Sequence, residues 1–206
     1  MSEAIPEALD LYSSPRVGRP RDPRVDTAIH EATLELLVEN GYQATTIQAI
    51  ARRAGVSAPS VYRRWSNKAE LIEDAVFPSG LLAPESLTGD LITDLQPYCL
   101  QILRHLSSPA VRLAIPGLLT EYQTNPAMWQ HVVERSLIPM RNAFETFIAR
   151  SGRRAIATPA ALFDVMLGAL FTRALNVGDA EAEEFARQVS MVIRSALPAN
   201  GDEEPR

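Results

Sequence analysis

The chain has one cysteine in 206 residues, Cys99, so no internal disulfide can staple it, and a reducing compartment suits it. Histidine is scarce as well. His30, His105 and His131 stand apart, none at metal-ligand spacing from another His or Cys. No metal or cofactor is expected. No run approaches the roughly 18 uninterrupted apolar residues of a spanning helix, so no membrane partner is expected. The first 30 residues carry Glu3, Glu7 and Asp10 without a continuous apolar core, which argues against a secretory leader. The expected location is therefore cytoplasmic. Alternating strand segments and internal repeats are lacking. So are G-x-S-x-G, a phosphate-cradling glycine loop and H-E-x-x-H. Cys99 has no sequence-local His to activate it and reads as a buried structural thiol. An enzyme is not expected.

Hydrophobic residues make up 46% and charged residues 22%, an ordinary globular balance. The net charge of −5 is unevenly spread. Residues 1–15 carry −3, residues 16–68 carry +4 and residues 69–206 carry −6. Nineteen of the twenty basic residues are Arg; the exception is Lys68. A basic segment within an acidic chain points to an anionic partner met by one end.

The pattern is helical throughout. A flexible basic, Pro-containing arm is expected over residues 1–24. Asp22-Pro23 then starts a helix whose apolar face holds Val25, Ala28, Ile29, Ala32, Leu36 and Leu37. Asn40-Gly41 ends it. Thr45 and Thr46 offer an N-cap for a second helix through about Ala54. Ser57 caps a third from about Ala58 to Trp65. Ser66-Asn67 start a fourth towards Pro78. After a linker near 78–88, five longer helices are expected. They cover about Gly89–Leu106 and open at Ser108-Pro109, Asn125-Pro126, Thr158-Pro159 and Asp179; a capping side chain before proline is a start signal. The division is residues 25–77 and residues 78–206. The expected fold class is all-α, an N-terminal three-helix head followed by a larger helical domain.

The segment Thr46–Lys68 carries the chemistry. Two short helices around a tight turn need a small residue at their crossing, which Ala51 supplies. The turn needs positive φ four residues on, which Gly55 tolerates. Ile47, Ile50, Val56 and Val61 provide the apolar contact. This is helix-turn-helix spacing, and such a second helix enters a major groove. The alternative is a structural hairpin inside a helical ligand-binding or enzymatic bundle. Arg52, Arg53, Arg63, Arg64 and Lys68 nearby argue against it.

These residues resemble the DNA-binding region of the Tet-repressor (TetR) family over residues 26–76. The matching features are Ala32 and Leu36, Asn40-Gly41-Tyr42, Ala44-Thr45-Thr46, Ile50-Ala51, Ala54-Gly55-Val56-Ser57, Val61-Tyr62 and Asn67-Lys68-Ala69-Glu70-Leu71. The resemblance implies a homodimer that binds double-stranded operator DNA and releases it on binding a small molecule; an activator would share every motif. It implies that Tyr62 and Lys68 hold phosphates. From chemistry, Thr46 caps and presents N–H groups to a phosphate, and Gln48 reaches a base edge or phosphate. Ser57, Ala58, Pro59 and Ser60 open the recognition helix, with apolar contact to a thymine methyl expected from Ala58 and Pro59. Arg63 and Arg64 are candidates for guanine or phosphate. Arg19 and Arg21 in the arm suit a narrow minor groove, the alternative being a solubilising tail.

Beyond the linker, Pro97, Pro116 and Pro139 fall inside helical patterns, where each removes a backbone hydrogen bond and bends the helix. A cavity lined by Tyr98, Leu119, Tyr122, Trp129, Met140, Phe144, Phe163 and Met166 is expected for a largely apolar effector. The helix from Pro159 is apolar nearly all round. Its Leu162, Val165, Leu167, Ala169 and Leu170, with Phe185, Val189 and Val192 of the last helix, are expected to form an isologous dimer interface.

Overall fold

The computed structural model describes residues 22–78, 88, 90–153 and 155–198. Among them every regular element is helical. Helix α1 (Pro23–Ala44) is capped by Asp22, whose carboxylate accepts from the Arg24 N–H. Gly41 interrupts it with φ of 73°, the left-handed break that Asn40-Gly41 predicts. Helix α2 (Ile47–Arg53) is capped by the Thr46 hydroxyl, which accepts from the Ala49 N–H at 3.2 Å. Helix α3 (Ala58–Tyr62) is shorter than expected, and Ser57 takes the N-cap backbone position without a side-chain bond. Asn67 caps α4 (Lys68–Val76) through the Glu70 N–H.

Helices α5 (Leu91–Ser107) and α6 (Pro109–Thr124) run on through Pro97 and Pro116. The run opened by Asn125 is α7 (Pro126–Val132), a π-helical turn (Val133–Leu137) and α8 (Ile138–Arg150). The Ile138 N–H bonds the Val133 carbonyl, five residues back. That widened turn stands immediately before Pro139, where a normal turn would meet the proline ring. Thr158 caps α9 (Pro159–Asn176), and α10 (Ala182–Ser195) closes the bundle.

Two apolar cores result. Ile29, Ala32, Leu36, Ile47, Ile50, Ala51, Val61, Trp65 and Leu71 form the head formed by α1–α4. The larger core runs through α5–α10, and Leu37 and Tyr42 of α1 with Ala69, Ile72 and Val76 of α4 belong to it. Helices α1 and α4 therefore serve both cores.

Helix α5 packs against both α9 and α10. Of the expected interface positions, Leu162, Leu170 and Val189 are buried within the protomer. Leu167, Ala169 and Phe185 are half-buried against the same core. Val165 and Val192 remain on the surface.

Candidate nucleic-acid interface and adjoining cavity

The helix-turn-helix is built as its spacing requires. Ala51 is buried at the crossing of α2 and α3, and Gly55 turns the chain with φ of 68°. The Val56 N–H bonds the Ala51 carbonyl at 2.9 Å and locks the turn. Val61 points into the head core. The outer face of α3 is therefore free of packing duty. It presents Ser57, Pro59, Tyr62 and Arg63 to solvent, with Ala58 and Ser60 partly exposed and Gln48 and Thr46 exposed beside them on α2. Tyr62 is 50% exposed, a large aromatic held on the surface.

Two of the residues expected at DNA also make contacts within the protein. Arg64 turns inward. Its Nε donates to the Asp26 carboxylate and its Nη1 donates to the Ser60 carbonyl and hydroxyl, leaving the side chain 12% exposed. It clamps α3 to the start of α1. Lys68 leans over the Tyr42 ring, 4.2 Å from its centroid, and its Nζ donates to the Tyr42 carbonyl at 3.0 Å. Its ammonium thus ties α4 to the end of α1. Arg53 is likewise engaged, by Glu35 and Glu39 of α1. Arg19 and Arg21 lie outside the described residues. Replacing Arg64 by Ala is expected to lower stability by about 1–2 kcal/mol in urea unfolding. A base-reading Arg64 would instead lose DNA affinity with stability unchanged.

Behind α4 lies a cavity of ≈ 420 Å³. Leu119, Tyr122, Trp129 and Met140 line it, as expected. Tyr98, Phe144, Phe163 and Met166 do not; they are buried core residues. The Phe144 and Phe163 rings pack on one another, 5.8 Å apart between centroids. The sequence reading missed Phe77, Arg135, Ser136 and Phe171 in the wall, and Leu167 faces the cavity. The available signal was Arg135-Ser136 breaking an apolar helical run just before Pro139.

A buried polar cluster joins this wall to the head. Arg135 Nη1 donates to Asp74 Oδ1, and Nη2 donates to the Phe77 carbonyl at 2.6 Å. Asp74 Oδ2 accepts from Trp65 Nε1 at 2.8 Å and from His30 Nε2 at 3.1 Å. Burial alone would push the Asp74 carboxyl up; bonds from His30, Arg135 and Trp65 outweigh it and hold it well below the usual range. Glu73 is the opposite case. It is fully buried, and burial pushes its carboxyl above the usual range despite Arg135 at 3.4 Å. An acid raised in this way contributes most stability below its unfolded value, near 4.3, and loses it as pH rises through its folded value. Glu73→Gln is therefore expected to raise the thermal midpoint at pH 7, with the gain vanishing below about pH 4. A gain independent of pH would contradict this account.

Residues 29–75 match the family model described as bacterial regulatory proteins, tetR family, and residues 86–193 match the tetracyclin repressor-like C-terminal domain. The chain belongs to the TetR family. As a member it is a DNA-binding, helix-turn-helix transcriptional regulator. A relative, the uncharacterized HTH-type transcriptional regulator YdeS of Bacillus subtilis, is 30% identical over 179 residues, covering 84% of this chain and 90% of YdeS. The DNA-binding transcriptional repressor TetR of Mycobacteroides abscessus is 26% identical, covering 73% and 82% respectively. The fold is shared with the transcriptional regulator FadR of Bacillus subtilis, solved in complex with stearoyl-CoA. Its TM-score is 0.63 at 17% identity, over 84% of this chain and 99% of that one. Among the described residues no helix is long and apolar enough to cross a membrane, and no group of His, Cys, Asp and Glu side chains could hold a metal.

Proposed function

We propose that this TetR-family regulator is a cytoplasmic repressor, not an enzyme, that binds operator DNA as a homodimer and is released by a largely apolar small molecule. The observation that carries the DNA reading is the outer face of α3. Tyr62 and Arg63 stand exposed on a helix whose other face is locked into the head. Gln48, Ser57, Ala58, Pro59 and Ser60 flank them, and Arg64 and Lys68 hold the head's shape. Recognition of successive major grooves needs two such helices at fixed spacing. Exposed Val165 on α9 with Met191 and Val192 on α10 supports a second copy there, 48–60% of each of these apolar side chains facing solvent. The cavity supports the release step. Its wall is mostly aliphatic and aromatic, and its volume falls within the usual range for small-molecule sites. The repressor name of the Mycobacteroides abscessus relative supports the sign of regulation.

The test is duplex-DNA binding across salt concentrations. A dimer placing at least its two Arg63 side chains on phosphates should give a slope of log affinity against log salt of about −1.8 or steeper. A flat line would mean that α2 and α3 are only a structural hairpin.

A further inference from the structure

The cavity and the recognition head meet at one carboxylate. Asp74 offers one oxygen to Arg135, a cavity-wall residue, and the other to Trp65 and His30, both in the head. Trp65 follows α3 directly and is buried in the head core, its ring 5.3 Å from that of His30. Arg135 lies on the π turn, a rare local widening of a helix that recurs at functional sites. Its hydrogen bonding is also incomplete: Nε is buried without a hydrogen-bond partner, and Oε2 of Glu73 is met only through the ion pair with Arg135 Nη2 at 3.4 Å. A partly satisfied buried network is costly, because each unpaired polar group sits in a low-dielectric interior.

We propose that Arg135 is the positioning residue that carries cavity occupancy to the recognition helix. This rests on the reading of the cavity as the effector site. An apolar body filling the cavity displaces the Arg135 side chain from Asp74 and the Phe77 carbonyl. Glu73 and Asp74 are then left adjacent without their shared cation, a costly arrangement in a buried site. Asp74 turns outward to recover solvation and gives up Trp65 and His30. The ring that fixes the end of α3 is thereby released. The effector's leverage on DNA is its differential affinity for the two arrangements.

The chain contains two tryptophans, and they stand at the two ends of this link. Trp129 lines the cavity and Trp65 bonds Asp74. A tethered probe makes occupancy independent of the natural effector. Leu119, 40% exposed in the cavity wall, is replaced by Cys and labelled with decyl methanethiosulfonate. The native thiol stays unlabelled because Cys99 is fully buried and burial pushes it up to about 12. Entry of the decyl tail is read from Trp129 in a Trp65→Phe background. Transmission is read from Trp65 in a Trp129→Phe background. The expected result is a change in both emissions, with labelling weakening DNA binding about tenfold. Adding Arg135→Met should leave the Trp129 change, abolish the Trp65 change and cut the effect on DNA affinity to less than about twofold. If Arg135→Met does not fold, Asp74→Asn breaks the same link from the other side and should give the same pattern. A Trp65 change that persists without Arg135, or a Trp129 change with Trp65 silent in the parent, overturns the proposal. A silent Trp129 shows that the cavity admits no apolar body, and the proposal falls with the effector reading. Loss of DNA binding in the unlabelled parent counts against the DNA reading alone, since the two emissions still decide the link.

Discussion

Replacing Tyr62 and Arg63 together by alanine lowers DNA affinity by about a hundredfold or more, while the protein stays folded. Both side chains are exposed on α3, and neither has a hydrogen bond among the described contacts that would make it a support for the head. A base-edge or phosphate contact is worth about 1–3 kcal/mol, and each contact occurs twice if two heads engage. The single substitutions should each show a smaller loss. If Arg63 holds a phosphate, its loss falls equally on all sequences and flattens the salt slope by about 1 per site. If it reads guanine, its loss relaxes sequence preference at one position of each half-site. Fluorescence anisotropy with labelled duplexes measures the affinity, and circular dichroism checks the fold. Affinity within twofold of the parent would remove α3 from the interface.

Gly117→Ala should cost about 2–3 kcal/mol and lower the thermal midpoint by about 5–10 °C. Gly117 sits in α6 with the Tyr42 ring pressed against its backbone. A Cβ built there would fall on three atoms of the Tyr42 ring, far inside contact distance. Tyr42 is buried at the end of α1 and carries Lys68 over its ring, so it cannot simply swing away. The ring must leave, and with it the seam between α1, α4 and α6. The substitution therefore strikes the joint between head and larger core. DNA affinity should fall more than the stability loss alone accounts for, because the folded fraction at 25 °C remains near one. Differential scanning calorimetry gives the first quantity and anisotropy the second. An unchanged midpoint would mean that the close approach of α6 to Tyr42 is not a stable feature of the fold.

The head was legible because its constraints are local. Thr46 and Asn67 cap the head helices they precede in sequence, as Asn125 and Thr158 do in the larger domain. Ala51 and Gly55 are fixed by the geometry of one turn. Burial against distant helices was not legible. Arg63 and Arg64 are neighbours in sequence, yet one faces solvent and the other reaches Asp26, 38 positions away. Nothing near Arg64 announces that partner. For Leu162, Leu170 and Val189 the apolar pattern shows that a face is covered, not what covers it; α5 packs there. Among the aromatic residues expected in the cavity, Phe144 and Phe163 went to the core for the same reason, their packing being with each other. The Arg135–Asp74 contact spans 61 positions and depends on a π turn that only Pro139 hints at.

The most direct test of the central claim is selection of bound sequences from a random duplex pool. A dimer presenting two copies of α3 should enrich a site with two inverted half-sites whose centres lie about one helical turn, or a multiple of it, apart. Enrichment of a single unrepeated element, or none above the starting pool, would contradict the account.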